Sequence, residues 1–162
     1  MSESTGKQEV LEKIQKWLNA ESIEFTMKEN QYLDFQLDIK EPNQSIYSYN
    51  DKPDSIEFAT YSSLTEEYKK AFIALKNNDE KLKILWDLER SLLEINVGHN
   101  LVPNNKNLER VDIYKKIYFD GLTKDRLMDT IFALQRGTKL VELMFRQLTG
   151  KHSSYSTTTF IL

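Results

Sequence analysis

The 162-residue sequence predicts an α+β fold, an antiparallel sheet packed on helices in the order helix, strands, helices, two strands, long helix. Three observations carry that prediction. Between residues 23 and 60 apolar and polar residues alternate at period two, as in strands buried on one side. Clusters containing Pro, Asn and Asp cut this stretch into short pieces, which implies an antiparallel meander. On both sides of it the apolar residues recur at the spacing of amphipathic helices.

Val10, Leu11, Ile14, Trp17 and Leu18 form the first helical stripe, with Glu9, Glu12, Lys13 and Lys16 on the opposite side. Ile23, Phe25 and Met27, then Leu33, Phe35, Leu37 and Ile39, alternate with polar residues, and the link from Lys28 to Gln31 makes them a hairpin. Two turn clusters, Glu41 to Gln44 and Asn50 to Pro53, bracket a third strand over Ile46 to Tyr49. Ile56, Phe58 and Thr60 mark a fourth. Ser63-Leu64-Thr65-Glu66 matches a capping box at the next helix start. Leu64, Tyr68, Ala71, Phe72 and Leu75 form a stripe that Asn77-Asn78-Asp79 interrupts. Leu82, Leu85, Trp86, Leu92 and Leu93 resume it, giving a helical hairpin or one bent helix. Leu101-Val102 is a short apolar stretch ending at Pro103, and Val111, Ile113, Ile117 and Phe119 share a strand face on which Lys115 is an oddity.

Asp120-Gly121 turns the chain, Thr123 is positioned as an N-cap, and Leu122 can staple to Leu127. A helix of about 27 residues follows to Gly150, roughly 40 Å at 1.5 Å per residue. Its main row is Leu127, Ile131, Leu134, Val141, Phe145 and Leu148; a second row, Phe132, Leu140, Leu143 and Met144, makes the apolar arc wider than one sheet contact needs. That second row is a candidate interaction surface. Residues 1–150 thus read as one domain, and 151–162 as a polar tail, expected to be mobile, that ends in Phe160-Ile161-Leu162. These three apolar residues are costly to leave in water and join the candidate surface, as a segment able to occupy a sheet edge in a neighbouring molecule.

Composition narrows the chemistry. With no Cys and two distant His, at 99 and 152, neither a thiol nucleophile, a disulfide nor a zinc centre is expected, and no cofactor is implied. The five glycines are too scattered for a dinucleotide fingerprint or a P-loop, whose backbone amides must approach phosphate closely. No apolar run has the length of a signal peptide or membrane span, so a cytoplasmic location is expected. Residues 1–62 hold 6 basic and 12 acidic side chains, for −6, residues 63–96 carry −1, and residues 97–162 hold 10 and 6, for +4. Such asymmetry suits contact of the basic third with the acidic half, within one molecule or across a subunit interface, whereas the basic third is too interleaved with Asp120, Asp125 and Asp129 for a phosphate-binding cluster.

Individual candidates read as structural. Asp34 and Asp38 would share a strand face as a carboxylate pair, but belong to its solvated register. His99 reads as an ordinary loop histidine. Trp17, Tyr32, Tyr47, Tyr49 and Tyr61 suit core and cross-strand packing better than base stacking. Gly137, inside the long helix, costs about 1 kcal/mol relative to Ala, which close packing would explain.

The element order from residue 6 to 150 resembles the type III secretion chaperone-like fold, whose members are small acidic proteins, usually dimers, that bind extended segments of a client. There are four strands before the middle helices where those chaperones usually have three. The run Lys116-Ile117-Tyr118-Phe119-Asp120-Gly121-Leu122-Thr123-Lys124-Asp125, leading into a long helix, resembles a family of archaeal conserved proteins of unknown function with this fold. The resemblance implies a non-enzymatic protein-binding or chaperone-like module, homodimeric, taking an extended peptide or protein client. The alternatives are an enzyme or small-ligand binder with its site between sheet and helices, or a nucleic-acid accessory protein using the basic C-terminal third.

Overall fold

The computed structural model of the chain describes residues 3–52, 54–103 and 107–150. Strands β1 (Phe25–Lys28), β2 (Leu33–Ile39), β3 (Gln44–Tyr49) and β4 (Ser55–Ser63) form the expected meander. β5 (Gly98–Val102) and β6 (Arg110–Tyr118) complete a six-stranded antiparallel sheet in the order β1-β2-β3-β4-β6-β5. The long β4 and β6 pair along their whole length, from Ser55 opposite Tyr118 to Ser63 opposite Arg110. That leaves β1 and β5 at the two edges.

Four helices cover one face: α1 (Glu3–Ala20), α2 (Glu66–Ala74), α3 (Asn78–Glu94) and α4 (Lys124–Leu148). Alternation decides which side chains meet them. Phe35, Leu37, Ile39, Ile46, Ile56, Phe58, Val111, Ile113 and Ile117 are buried under the helices. Their neighbours Gln36, Asp38, Tyr47, Glu57, Ala59, Asp112 and Tyr114 stay half-buried on the other face, which no described helix covers. Each fully buried large apolar side chain contributes about 1.5–3 kcal/mol. Phe145 of α4 packs edge-on to Phe72 of α2 at 5.9 Å, and Gln44 of β3 donates to the Ile131 carbonyl at 2.8 Å, so α4 is held from both sides. Gly137 lets α4 lie close: a Cβ there would stand 3.1 Å from Ile113 of β6 and 3.4 Å from Leu92 of α3.

Several expectations are corrected. The cap of α2 is Thr65, whose hydroxyl accepts from the Tyr68 amide, while Ser63 remains the end of β4. The middle segment is two helices, because Asn77 caps α3 by accepting from the Asp79 amide. Ile23 precedes β1 instead of beginning it, and Phe119 opens a 3-10 turn, Phe119–Gly121, after β6. The long helix has 25 residues, starting behind the foreseen cap Thr123. Asp34 and Asp38 are separated by a register shift between Leu33 and Phe35. Asp34 turns to Lys7 of α1, a buried lysine that also donates to the Tyr49 carbonyl at 3.2 Å. Asp38 stays on the open face.

Candidate interaction site

The second apolar row of α4 splits in two. At 100° per residue, Phe132 and Leu143 point roughly opposite to the buried row Leu127, Leu134 and Val141; they are 51% and 36% exposed. Leu140 and Met144 lie on the flank and pack against the core. The exposed pair is separated by roughly 16 Å of helix, and Arg136 and Lys139 stand between. Phe132, Leu140, Leu143 and Met144 therefore do not form one continuous surface. Phe160, Ile161 and Leu162 lie outside the described residues.

An exposed apolar ridge also occurs on α3, with Glu89 at its margin between Trp86 and Leu93. Leu82, Trp86 and Leu93 are 55%, 66% and 65% exposed, and fall within about 40° of one another around the helix axis. The buried residues Leu85, Leu88 and Leu92 are turned roughly 100° away. Two contacts orient the helix. Leu92 faces Gly137 of α4, and Glu89 lies 3.6 Å from the Nε2 atom of His99 in β5. The ridge is therefore on the flank away from α4, overhanging the edge strand.

That strand pairs only with β6 among the described residues, so its outer row of backbone donors and acceptors is open. Its residues, Gly98-His99-Asn100-Leu101-Val102, include no Asp, Glu, Lys or Arg. Open edges are ordinarily guarded by charge, shortness or irregularity, because they template pairing with other chains. His99 is thus a strand residue, not a loop residue, and its Nδ1 is buried without a hydrogen-bond partner. Opposite Gly98 lies Tyr114, whose ring fills the space a side chain would take: a Cβ on Gly98 would stand 2.4 Å from it.

On the open face, the row Ser45, Ala59, Tyr114, Gly98 crosses four strands. Because Ala59 is small, it floors a trough of about 290 Å³ walled by Tyr47, Tyr61 and Tyr114, with Glu57 and Asp112 at its margin. Lys52 lies 3.8 Å from Glu57 and Arg110 lies 2.9 Å from Asp112, so the margin is charge-balanced. Burial pushes the Asp38 carboxyl up, but hydrogen bonds from Lys28, Gln36 and Ser45, with the Lys28 charge, outweigh it and hold that group below the usual carboxylate range. The tyrosines expected in packing roles line this face: the Tyr47 and Tyr49 rings are 6.1 Å apart, and Lys52 sits 4.4 Å from the Tyr49 ring centre. Trp17 packs on the core, and Tyr32 is exposed. Among the described residues no group of three or more His, Asp or Glu side chains could hold a metal ion, and no helix is long and apolar enough to cross a membrane.

The ridge was hidden in the sequence because Leu82, Trp86 and Leu93 sit among Leu85, Leu88 and Leu92 as one broad stripe. A helical projection separates the two sets. That β5 ends the sheet is set by its pairing with β6, which spacing alone does not reveal.

Among the described residues, fold and site together define an α+β domain with one helical layer, one open sheet face and one uncharged edge. The chain belongs to the uncharacterised conserved protein family DUF2299, whose model matches residues 10–145. It is similar to an uncharacterised protein from Methanothermobacter thermautotrophicus whose crystal structure superposes with a TM-score of 0.77 at 25% identity, covering 84% of this chain and 96% of that one. YbjN from E. coli, described as a candidate transcription regulator, gives a TM-score of 0.46 at 12% identity over 86% of this chain and 91% of its own. No curated protein matches the chain.

Proposed function

We propose that this protein is a non-enzymatic, chaperone-like protein-binding module of the cytoplasm, taking an extended protein segment by strand addition at β5. The observation that carries this reading is an open, uncharged edge strand lying beneath an exposed apolar ridge. Strand addition draws affinity from main-chain hydrogen bonds and selectivity from the side chains that alternate along the added strand. Here the incoming residues that face the helical layer would meet Leu82, Trp86 and Leu93, and the others would continue the polar open face. The element order resembles that of type III secretion chaperones, which bind extended client segments, and this resemblance supports the same mode.

Synthetic peptides with alternating Val and Thr, carrying a fluorescent label and read by its polarisation, test this directly. We expect saturable binding that Trp86→Glu abolishes and that Phe132→Glu, on the outer side of α4, leaves intact. Binding lost in the Phe132 variant and kept in the Trp86 variant would move the site to α4 and overturn the reading.

A further inference from the structure

We infer that the extended segment taken at this edge is β5 of a second copy of the chain, in an antiparallel two-fold pairing centred on Asn100. The inference rests on the strand-addition reading above and names its partner.

A two-fold interface needs a surface complementary to itself. In β5 a two-fold axis at Asn100 sets Gly98 against Val102 and His99 against Leu101, so no like charges face each other across the seam. A strand bearing one Lys or Glu off-centre would instead place it near its own copy or in an apolar neighbourhood.

The ridge has the matching centre. α3 enters β5 through the turn at Ile95–Val97, where the Val97 amide bonds back to the Leu92 carbonyl, so helix and strand run in opposite directions. The contact between Glu89 and His99 fixes their relative height. One strand residue beyond His99 advances about 3.3 Å, which corresponds to roughly two helix residues before Glu89 at 1.5 Å each. The height of Asn100 therefore falls near Asp87 and Trp86. The midpoint of Leu82 and Leu93 along the helix falls at the same place. One axis thus serves both elements: it brings the two Trp86 side chains together and sets each Leu82 near Leu93 of the second copy. The interface would cover the most exposed aromatic of the helical layer and pair the open edge in one step. α4 would take no part, and the interaction surface expected from its second apolar row would remain in solvent.

The chain contains no Cys, so single cysteines report proximity without background. Asn100→Cys should form a disulfide-linked dimer on mild oxidation, whereas Thr26→Cys on the opposite edge should not. Sedimentation equilibrium of the unmodified chain should show a dimer at micromolar concentration that Trp86→Glu converts to monomer, and in a Trp17→Phe background the emission, then from Trp86 alone, should shift to the red on dilution. A monomer at all concentrations, a dimer indifferent to Trp86→Glu, or equal cross-linking from Thr26→Cys overturns the inference. Failure of the underlying reading looks different. A monomer that still binds the Val/Thr peptide through Trp86 refutes only the second copy as occupant, whereas a Trp86-independent dimer with no peptide binding refutes strand addition itself.

Discussion

At one edge of the sheet β1 offers four residues ending in Lys28, which pairs with Asp38, and Gln15 of α1 reaches across to the Met27 sulfur at 3.1 Å. Just before this strand, Glu24 forms an ion pair with Lys40 at 3.0 Å. At the other edge β5 offers five residues without a charge, next to three exposed apolar side chains on α3. Both edges are short, but the first also carries the charges that keep sheets from pairing with strangers, and the second carries none. The two also differ in what lies beneath. β5 is supported by α3, whose Leu88 and Leu92 are fully buried, whereas Phe25 of β1 is only partly covered. An edge that is both unguarded and firmly supported fits a docking surface better than one that has frayed.

The largest expected effect breaks that support. Leu92→Ala should cost about 2–5 kcal/mol, the range for a buried leucine that leaves a cavity. Phe25→Ala should cost less, about 1–2 kcal/mol, because less apolar surface returns to water. Chemical denaturation of the two variants compares them, and hydrogen exchange should show β5 amides released by the first and β1 amides by the second. Equal losses would mean that the edges do not differ in support.

A smaller effect probes how β5 is seated. Gly98→Val would push the Tyr114 ring from its place and should cost about 1–3 kcal/mol, as overpacking does. In a Tyr114→Ala background most of that loss should disappear. If it persists, the ring contact is not its cause.

The smallest effect tests the guard on β1. A carboxyl held below its ordinary pKa in the folded protein contributes stability that is fully present above the unfolded value and is lost as pH falls through the folded one. For Asp38 the loss should begin near the ordinary carboxylate pKa, about 3.9, and finish once the pH has dropped below the depressed folded value. Asp38→Asn should thus lower stability slightly at neutral pH, since the Lys28 partner is largely exposed, and match the unmodified chain in strong acid. A variant that titrates like the unmodified chain throughout would show that Lys28 guards the edge by charge alone.

Much of this architecture was legible because the signals were local. Period-two alternation located β2 and β4, the turn clusters on either side located β3, and helical spacing located α1 and α4, since each pattern is imposed by local geometry. Thr123 was legible as a cap for the same reason. Asn77 was legible only as a break, because the same residue type ends one helix and caps the next. The capping box at Ser63 misled: β4 pairs with β6 as far as Ser63, and its ladder bonds outweigh a cap that Thr65 can supply two residues later. Asp34 was misplaced because a bulge shifts the strand's phase without changing its residue pattern.

By itself the sequence determined the type and order of the elements, their amphipathic faces and the absence of thiol chemistry, since propensity, periodicity and composition are properties of residues and their near neighbours. Only the tertiary structure decided which apolar stripes stayed exposed and which strand became the edge. Leu82 and Leu85, three residues apart and chemically identical, differ because α4 and the sheet approach α3 from one side and leave its other flank to solvent. Exposure is a relation between surfaces distant in sequence, so the ridge and the open edge it overhangs came into being only when those surfaces met.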